Sequence, residues 1–157
     1  MNGLCGISGK KWKAGSFPLY LQHNEVDCGP ACLYMVANSY GFRQTFQSLR
    51  RNFSLTGRGV SLQNLSEVAE SIGFHTMCVR TSFSKLCDKV ELPCILVWNC
   101  KHLVVVYRID RKRSKIYLAD PGSGFLSLSE DEFKKNWVCS EGDKGIVMLL
   151  EPVLGER

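Results

Sequence analysis

The sequence predicts an α+β fold, with helices from its N-terminal half packed on an antiparallel sheet built by its C-terminal half. Two observations carry this. Up to Gly73 the apolar residues recur at three-to-four spacing; beyond it they gather into short runs rich in Val, Ile, Leu and aromatics. The 157 residues, 45% hydrophobic and 22% charged, suffice for one domain with a real core, or one domain and a short tail.

Taken in order, residues 1–16 are rich in Gly, Ser and Lys and read as a flexible leading arm. The domain proper is expected at 17–152, with 153–157 as a tail or the start of a linker. Lysines stand where a signal peptide would need its apolar segment, so no secretory signal is expected. The first helix starts after Asp27, a suitable N-cap; Pro30 is tolerated in a first turn, and Gly41 is a natural C-cap. Ala31, Leu33, Met35, Val36, Ala37 and Tyr40 cover nearly every side of it, which predicts a central helix. Amphipathic helices follow at 46–51 and 61–71, the second capped by Ser61 and stopped by Gly73. Strands are expected at 74–80, 94–99, 102–109, 115–119 and 145–151. Short helices fit near 82–89 and 129–136, where Ser129 and Glu132 have capping-box spacing.

Composition excludes several classes. No apolar run approaches the ~20 residues needed to cross a bilayer. Lys and Arg number 20 against 15 Asp and Glu, a net +5 whose densest cluster, DRKRSK at 110–115, falls between two strands. There it reads as a solvated hairpin tip, not a nucleic-acid footprint. Eight cysteines in a chain without an export signal are expected to be mostly free thiols. No C-x-x-C pair offers zinc spacing, so no metal is expected.

One cysteine differs from the rest. Cys28 falls in the first turn of the central helix, where unpaired N–H groups and the helix dipole favour an anion, so thiolate should be available. Gly29 beside it is expected to leave the approach to the sulfur open. A thiolate nucleophile wants an imidazole partner. His75 has ordinary neighbours and reads as structural, while His23 lies in the approach loop with nothing placed to orient it. His102 opens an apolar strand. With 110–114 as the hairpin loop, Ile109 faces Lys115 and Asp120 faces Val104, on the same sheet face as His102. That separation is ~7–8 Å at the backbone, within side-chain reach. A one-residue slip would put the two on opposite faces. Asp120 could then accept the imidazole N–H and fix its tautomer, although Asp120-Pro121-Gly122 is also a turn signal. Gln22, six residues before Cys28, could offer its amide to an oxyanion beside the Cys28 N–H.

LQHNEVDCGPACLYMVANSYG, GVSLQNL, KHLVVVYRI and YLADPGSG, in that order, resemble the bacteriocin-processing cysteine peptidase family over roughly 17–152. Members usually form the N-terminal cytosolic part of peptide-exporting ABC transporters. The resemblance implies a papain-like cysteine peptidase fold, with Cys28 as nucleophile, His102 as base and acid, Asp120 as orienting carboxylate and Gln22 in the oxyanion hole. It implies cleavage of a secreted precursor after a Gly-Gly or Gly-Ala type motif. It also implies a leader read as an amphipathic helix on an apolar groove, for which the helical region from Phe46 to Ile72 is the candidate. No cofactor is implied, ATP belonging only to a transporter portion that would follow. Partners would be the precursor peptide and transporter membrane and nucleotide-binding domains, not nucleic acid. The location would be cytoplasmic, at the cytosolic face of the bacterial inner membrane if the chain is part of a transporter; a stand-alone protease is equally compatible. The alternatives are a non-catalytic leader-binding docking domain of a secretion transporter and another papain-like acyl-transfer chemistry on the same residues.

Overall fold

Six strands form one antiparallel sheet among the described residues of the computed structural model, which are 12–54, 59–138 and 142–153. A 3-10 turn at Glu25–Asp27 leads into helix α1, Cys28–Ser39, followed by α2 at Phe46–Arg50 and α3 at Leu62–Ile72. Then come β1 (Phe74–Ser82), α4 (Phe83–Lys89), β2 (Cys94–Trp98), β3 (His102–Asp110), β4 (Lys115–Asp120), β5 (Gly124–Ser129), α5 (Glu130–Trp137) and β6 (Lys144–Pro152). The strand order is β1-β6-β2-β3-β4-β5. Helices first and strands afterwards is the α+β arrangement that the change of period predicts.

Local chemistry explains the boundaries. Thr45, Ser61, Ser82 and Ser129 each accept a backbone N–H from the first turn of the following helix, and Ser129 with Glu132 completes a capping box. Gly73 ends α3 at φ 120°, a conformation that side-chain-bearing residues avoid. Asp27 departs from expectation. It holds the N-cap position of α1, but its side chain makes no capping bond. Its carboxylate is instead buried, 2% exposed, and taken by Arg50 of α2.

The sheet carries a core on each face. Leu103, Val105 and Tyr107 of β3 pack with Leu33, Met35 and Val36 of α1. Val104 and Val106 pack on the other side with Phe133 and Trp137 of α5. This double burial is why the strand reads as one continuous apolar run. The sequence does not announce β5. FLSLS is short, half polar and follows a turn motif, yet it pairs with β4 from Lys115↔Ser129 to Asp120↔Gly124.

The expected leading arm needs correction at its end. Residues 1–11 lie outside the described residues, as do 154–157, but 12–16 are held to the domain. Gly15 donates its N–H to the Tyr107 hydroxyl at 2.9 Å, and Trp12 sits edge-on to the buried Phe17, ring centres 5.3 Å apart. At the other end, Val153 donates its N–H to the Gly73 carbonyl at 2.8 Å.

Candidate active site

Cys28 is the first residue of α1 and half-buried. The 3-10 turn before it and the sheet behind it deliver that helix end to the start of β3. There the β2–β3 connection reverses through Asn99 and Cys100, both left-handed at φ 52° and 67°, and sets His102 at the head of the strand. Strand alternation groups His102 with Val104 and Val106, whose side chains belong to the α5 side, whereas Cys28 packs at the margin of the α1 side. The two therefore meet across the end of the sheet, not through its face.

The third group arrives from β4. His102 Nε2 lies 2.7 Å from Asp120 Oδ1. Gly122 donates its N–H to that same oxygen at 2.8 Å, and the Ser123 hydroxyl donates to Oδ2 at 3.0 Å. The Asp120 residue is 7% exposed, so its charge is kept by donors and not by water. With Nε2 committed to the carboxylate, Nδ1 is the nitrogen left for the Cys28 sulfur. The imidazole pKa is pushed up to about 9, by the hydrogen bond to Asp120 first and by the one to Cys28 next, against burial. Burial pushes the Asp120 carboxyl up, but the bonds from His102, Gly122 and Ser123 outweigh it and leave its pKa below the usual value. The charged pair is favoured on both members.

The register that joins His102 to Asp120 comes from two departures that cancel. The hairpin loop is one residue shorter than expected, since Asp110 pairs with Lys115 and Ile109 with Ile116. A bulge at Tyr107, between Val106 and Arg108, then restores the register to Val105↔Ala119, which puts Asp120 opposite Val104 as expected.

Gln22 is tied to the same turn through its backbone, donating its N–H to the Pro121 carbonyl at 2.8 Å. Its side-chain amide points into the 3-10 turn, donating to the Asn24 carbonyl at 2.8 Å and to that of Glu25 at a long 3.4 Å. Its Oε1 is buried with no partner among the described residues. Gly29 does not open the sulfur as expected. A Cβ there would lie 3.3 Å from Val60 Cβ and 3.5 Å from Leu103 Cδ1, so the glycine admits close packing of these residues on the first turn of α1. His75 is exposed on β1, and His23 sits edge-on to Tyr20, ring centres 6.1 Å apart. In the region from Phe46 to Ile72, Phe46, Leu49, Leu65, Val68 and Ala69 are core residues, while Val60, Leu62 and Ile72 stay half-buried. None of the six described cysteines is in a disulfide; Cys32 and Cys94 are fully buried, and burial drives both thiols well above their ordinary pKa. Among the described residues no three His, Cys, Asp or Glu side chains gather as a metal site requires. No helix among them is long and apolar enough to cross a membrane.

Residues 16–150 match the profile of the Peptidase C39 family. The chain belongs to that family. Among curated relatives, this C39 chain is 32% identical over 118 residues to the colicin V secretion/processing ATP-binding protein CvaB of Escherichia coli, covering 75% of the chain and 16% of that protein. It is 30% identical over 137 residues to the lactococcin-G-processing and transport ATP-binding protein LagD of Lactococcus lactis, covering 83% of the chain and 18% of that protein. The C39 chain thus spans less than a fifth of these relatives. Two crystal structures share its fold. One is a double glycine motif protease from an AMS/PCAT transporter in complex with the leader peptide, with TM-score 0.80, 24% identity and coverage of 89% of this chain and 94% of the other. The second is the peptidase domain of Streptococcus ComA, with TM-score 0.75, 23% identity and coverage of 87% and 98%.

Sequence reasoning found Cys28, His102 and Asp120, which the structure brings together. It missed Ser123 and Arg50. Ser123 had a signal, as a hydroxyl three residues after an Asp in a turn; Arg50 had none, because its partner lies 23 residues away.

Proposed function

We propose that this C39 domain is a cysteine endopeptidase that removes the leader of a secreted precursor peptide, cutting after a Gly-Gly or Gly-Ala type motif in a step coupled to export. The observation that carries it is the chain of contacts Asp120–His102–Cys28 at the half-buried head of α1. The names of the relatives, which join secretion, processing and ATP binding, and the leader-bound transporter protease support the peptide class.

The chemistry follows from the geometry. Asp120 holds His102 through Nε2, so Nδ1 keeps the proton shared with sulfur and the resting pair is imidazolium and thiolate. The thiolate attacks the carbonyl carbon of the second small residue. The Cys28 N–H at the helix start and the Gln22 amide, exchanging its long bond to Glu25, receive the oxyanion. His102 passes its proton to the departing amine as the C–N bond breaks, leaving an acyl thioester and the freed core peptide. It then takes a proton from water, whose hydroxide releases the leader and restores the sulfur.

The leader would lie as an amphipathic helix on the half-buried apolar residues left over from the core between Phe46 and Ile72. The partners would be the transporter membrane and nucleotide-binding domains, on the cytosolic side of the membrane. ATP would serve only that transporter portion.

The test uses a purified precursor with a double-glycine leader. Wild-type protein should release leader and core peptide with masses placing the cut after the second glycine, and Cys28→Ala should release neither while still binding the leader. Cleavage by Cys28→Ala would refute the assignment. Leader binding with no cleavage by the wild type would favour a docking domain instead.

A further inference from the structure

The side chain next to the nucleophile is a buried carboxylate that the peptidase chemistry does not use. Asp27 is 2% exposed and immediately precedes Cys28. An anion there opposes a thiolate on the next residue, and a buried carboxylate is costly unless paired. Helix capping does not explain it, since the side chain makes no capping bond. Arg50, the last residue of α2, does. Its Nε donates to Asp27 Oδ1 at 2.8 Å, and its side chain is 33% exposed, so the charge reaches the pair from the protein's rim. Asn24 Nδ2 approaches the other oxygen at only 3.5 Å.

We propose that Arg50 is a positioning residue for the nucleophile, pinning the 3-10 turn and the first turn of α1 through Asp27 and cancelling a charge that would otherwise oppose the thiolate. This rests on the reading of Cys28 as nucleophile.

Arg50 is the cation that the structure places on Asp27. His102 of β3, held by Asp120 of β4, faces the sulfur, and Cys32 is one turn along α1. Tyr20, edge-on to Tyr34, stands near Asp27, and Glu25 is exposed in the turn. From α3, Glu67 is engaged by Gln63 and Glu70 by Thr76; β2 supplies only the buried Cys94. α2 is short, but its N-cap Thr45 and the core side chains Phe46 and Leu49 fix where Arg50 emerges.

The experiment compares Arg50→Gln, Asp27→Asn and the double variant, measuring iodoacetamide alkylation of Cys28 against pH, precursor cleavage and thermal melting. A neighbouring uncompensated charge moves a titration by about one to three units. Arg50→Gln should therefore move the acid limb of alkylation up by roughly one unit and lower cleavage turnover about tenfold. The double variant, lacking both charges, should return the limb to within about half a unit of wild type. A limb that Arg50→Gln leaves in place, or that the double variant fails to restore, overturns the proposal. Should Arg50→Gln not fold, Asp27→Asn decides alone. It leaves Arg50 uncompensated near the sulfur and must move the limb to lower pH; an unmoved or raised limb overturns the proposal. The two readings separate cleanly. A wild type that cuts no double-glycine precursor, but whose alkylation limb Arg50→Gln moves as stated, ends the peptidase assignment and keeps this one; a wild type that cuts, with cleavage and alkylation that Arg50→Gln leaves unchanged, does the opposite.

Discussion

His102 has Nε2 committed to Asp120 and Nδ1 left for the sulfur, and this makes its charge the quantity that pH should reveal. With its pKa raised to about 9, the pair's contribution to stability should be complete below the free-imidazole value of ~6.5, and both it and cleavage should fade as pH climbs through 9. Asp120 has the opposite sign. Its pKa is lowered, so its contribution holds above the usual carboxylate value and fades as pH falls through the depressed one. Asp120→Asn should bring the alkaline limb of kcat/KM down by roughly one unit or more, since the largest cause of the shift is gone. An unmoved limb would mean that His102 is not the group titrating there. Gln22→Ala should cost ~10²–10³ in turnover with the melting temperature retained, the usual loss for an oxyanion donor. A loss confined to KM would instead place Gln22 in substrate binding.

Among the elements, the β3–β4 hairpin and the β6–α5 contact show how much rests on single residues. The bulge at Tyr107 corrects a hairpin that starts one residue out of step, and Tyr107 is held there by stacking on Phe17 with ring centres 5.0 Å apart. Apolar spacing predicted the strands and the capping residues predicted most helix starts, because both signals are local. The bulge was not legible, nor was β5: neither leaves a mark in the hydrophobic pattern that a turn or loop would not also leave. At the other hairpin side, a Cβ on Gly145 would come within 2.3 Å of the fully buried Trp137 ring, which a large aromatic in a packed core cannot easily vacate. Gly145→Ala should destabilise the fold by about 1–3 kcal/mol, lowering the melting temperature by ~2–4 °C per kcal/mol. An unchanged melting temperature would show that α5 can shift as a unit.

At the level of the whole molecule, two cores share one sheet, and the site sits where their ends meet. α1 is buried on most sides, so its head can be delivered to β3 only if the α1-side core is intact. Leu33→Ala, at a fully buried position, should cost about 2–5 kcal/mol and lower both stability and the fraction of reactive Cys28, while alkylation per folded molecule stays as in the wild type. Slower alkylation of the folded fraction would show that the core also tunes the site.

The α+β class, the capped helices, and Cys28 and His102 as site candidates are legible in the sequence because each is written in local chemistry: period, caps, a thiol at a helix start, a histidine opening an apolar strand. Tertiary structure decided the rest. It set the register that joins His102 to Asp120, turned Asp27 from a cap into half of an ion pair, pressed Val60 and Leu103 onto Gly29, and aimed the Gln22 amide at its own turn. Those outcomes depend on contacts between residues far apart along the chain, whose energies are settled only when the elements pack and water leaves.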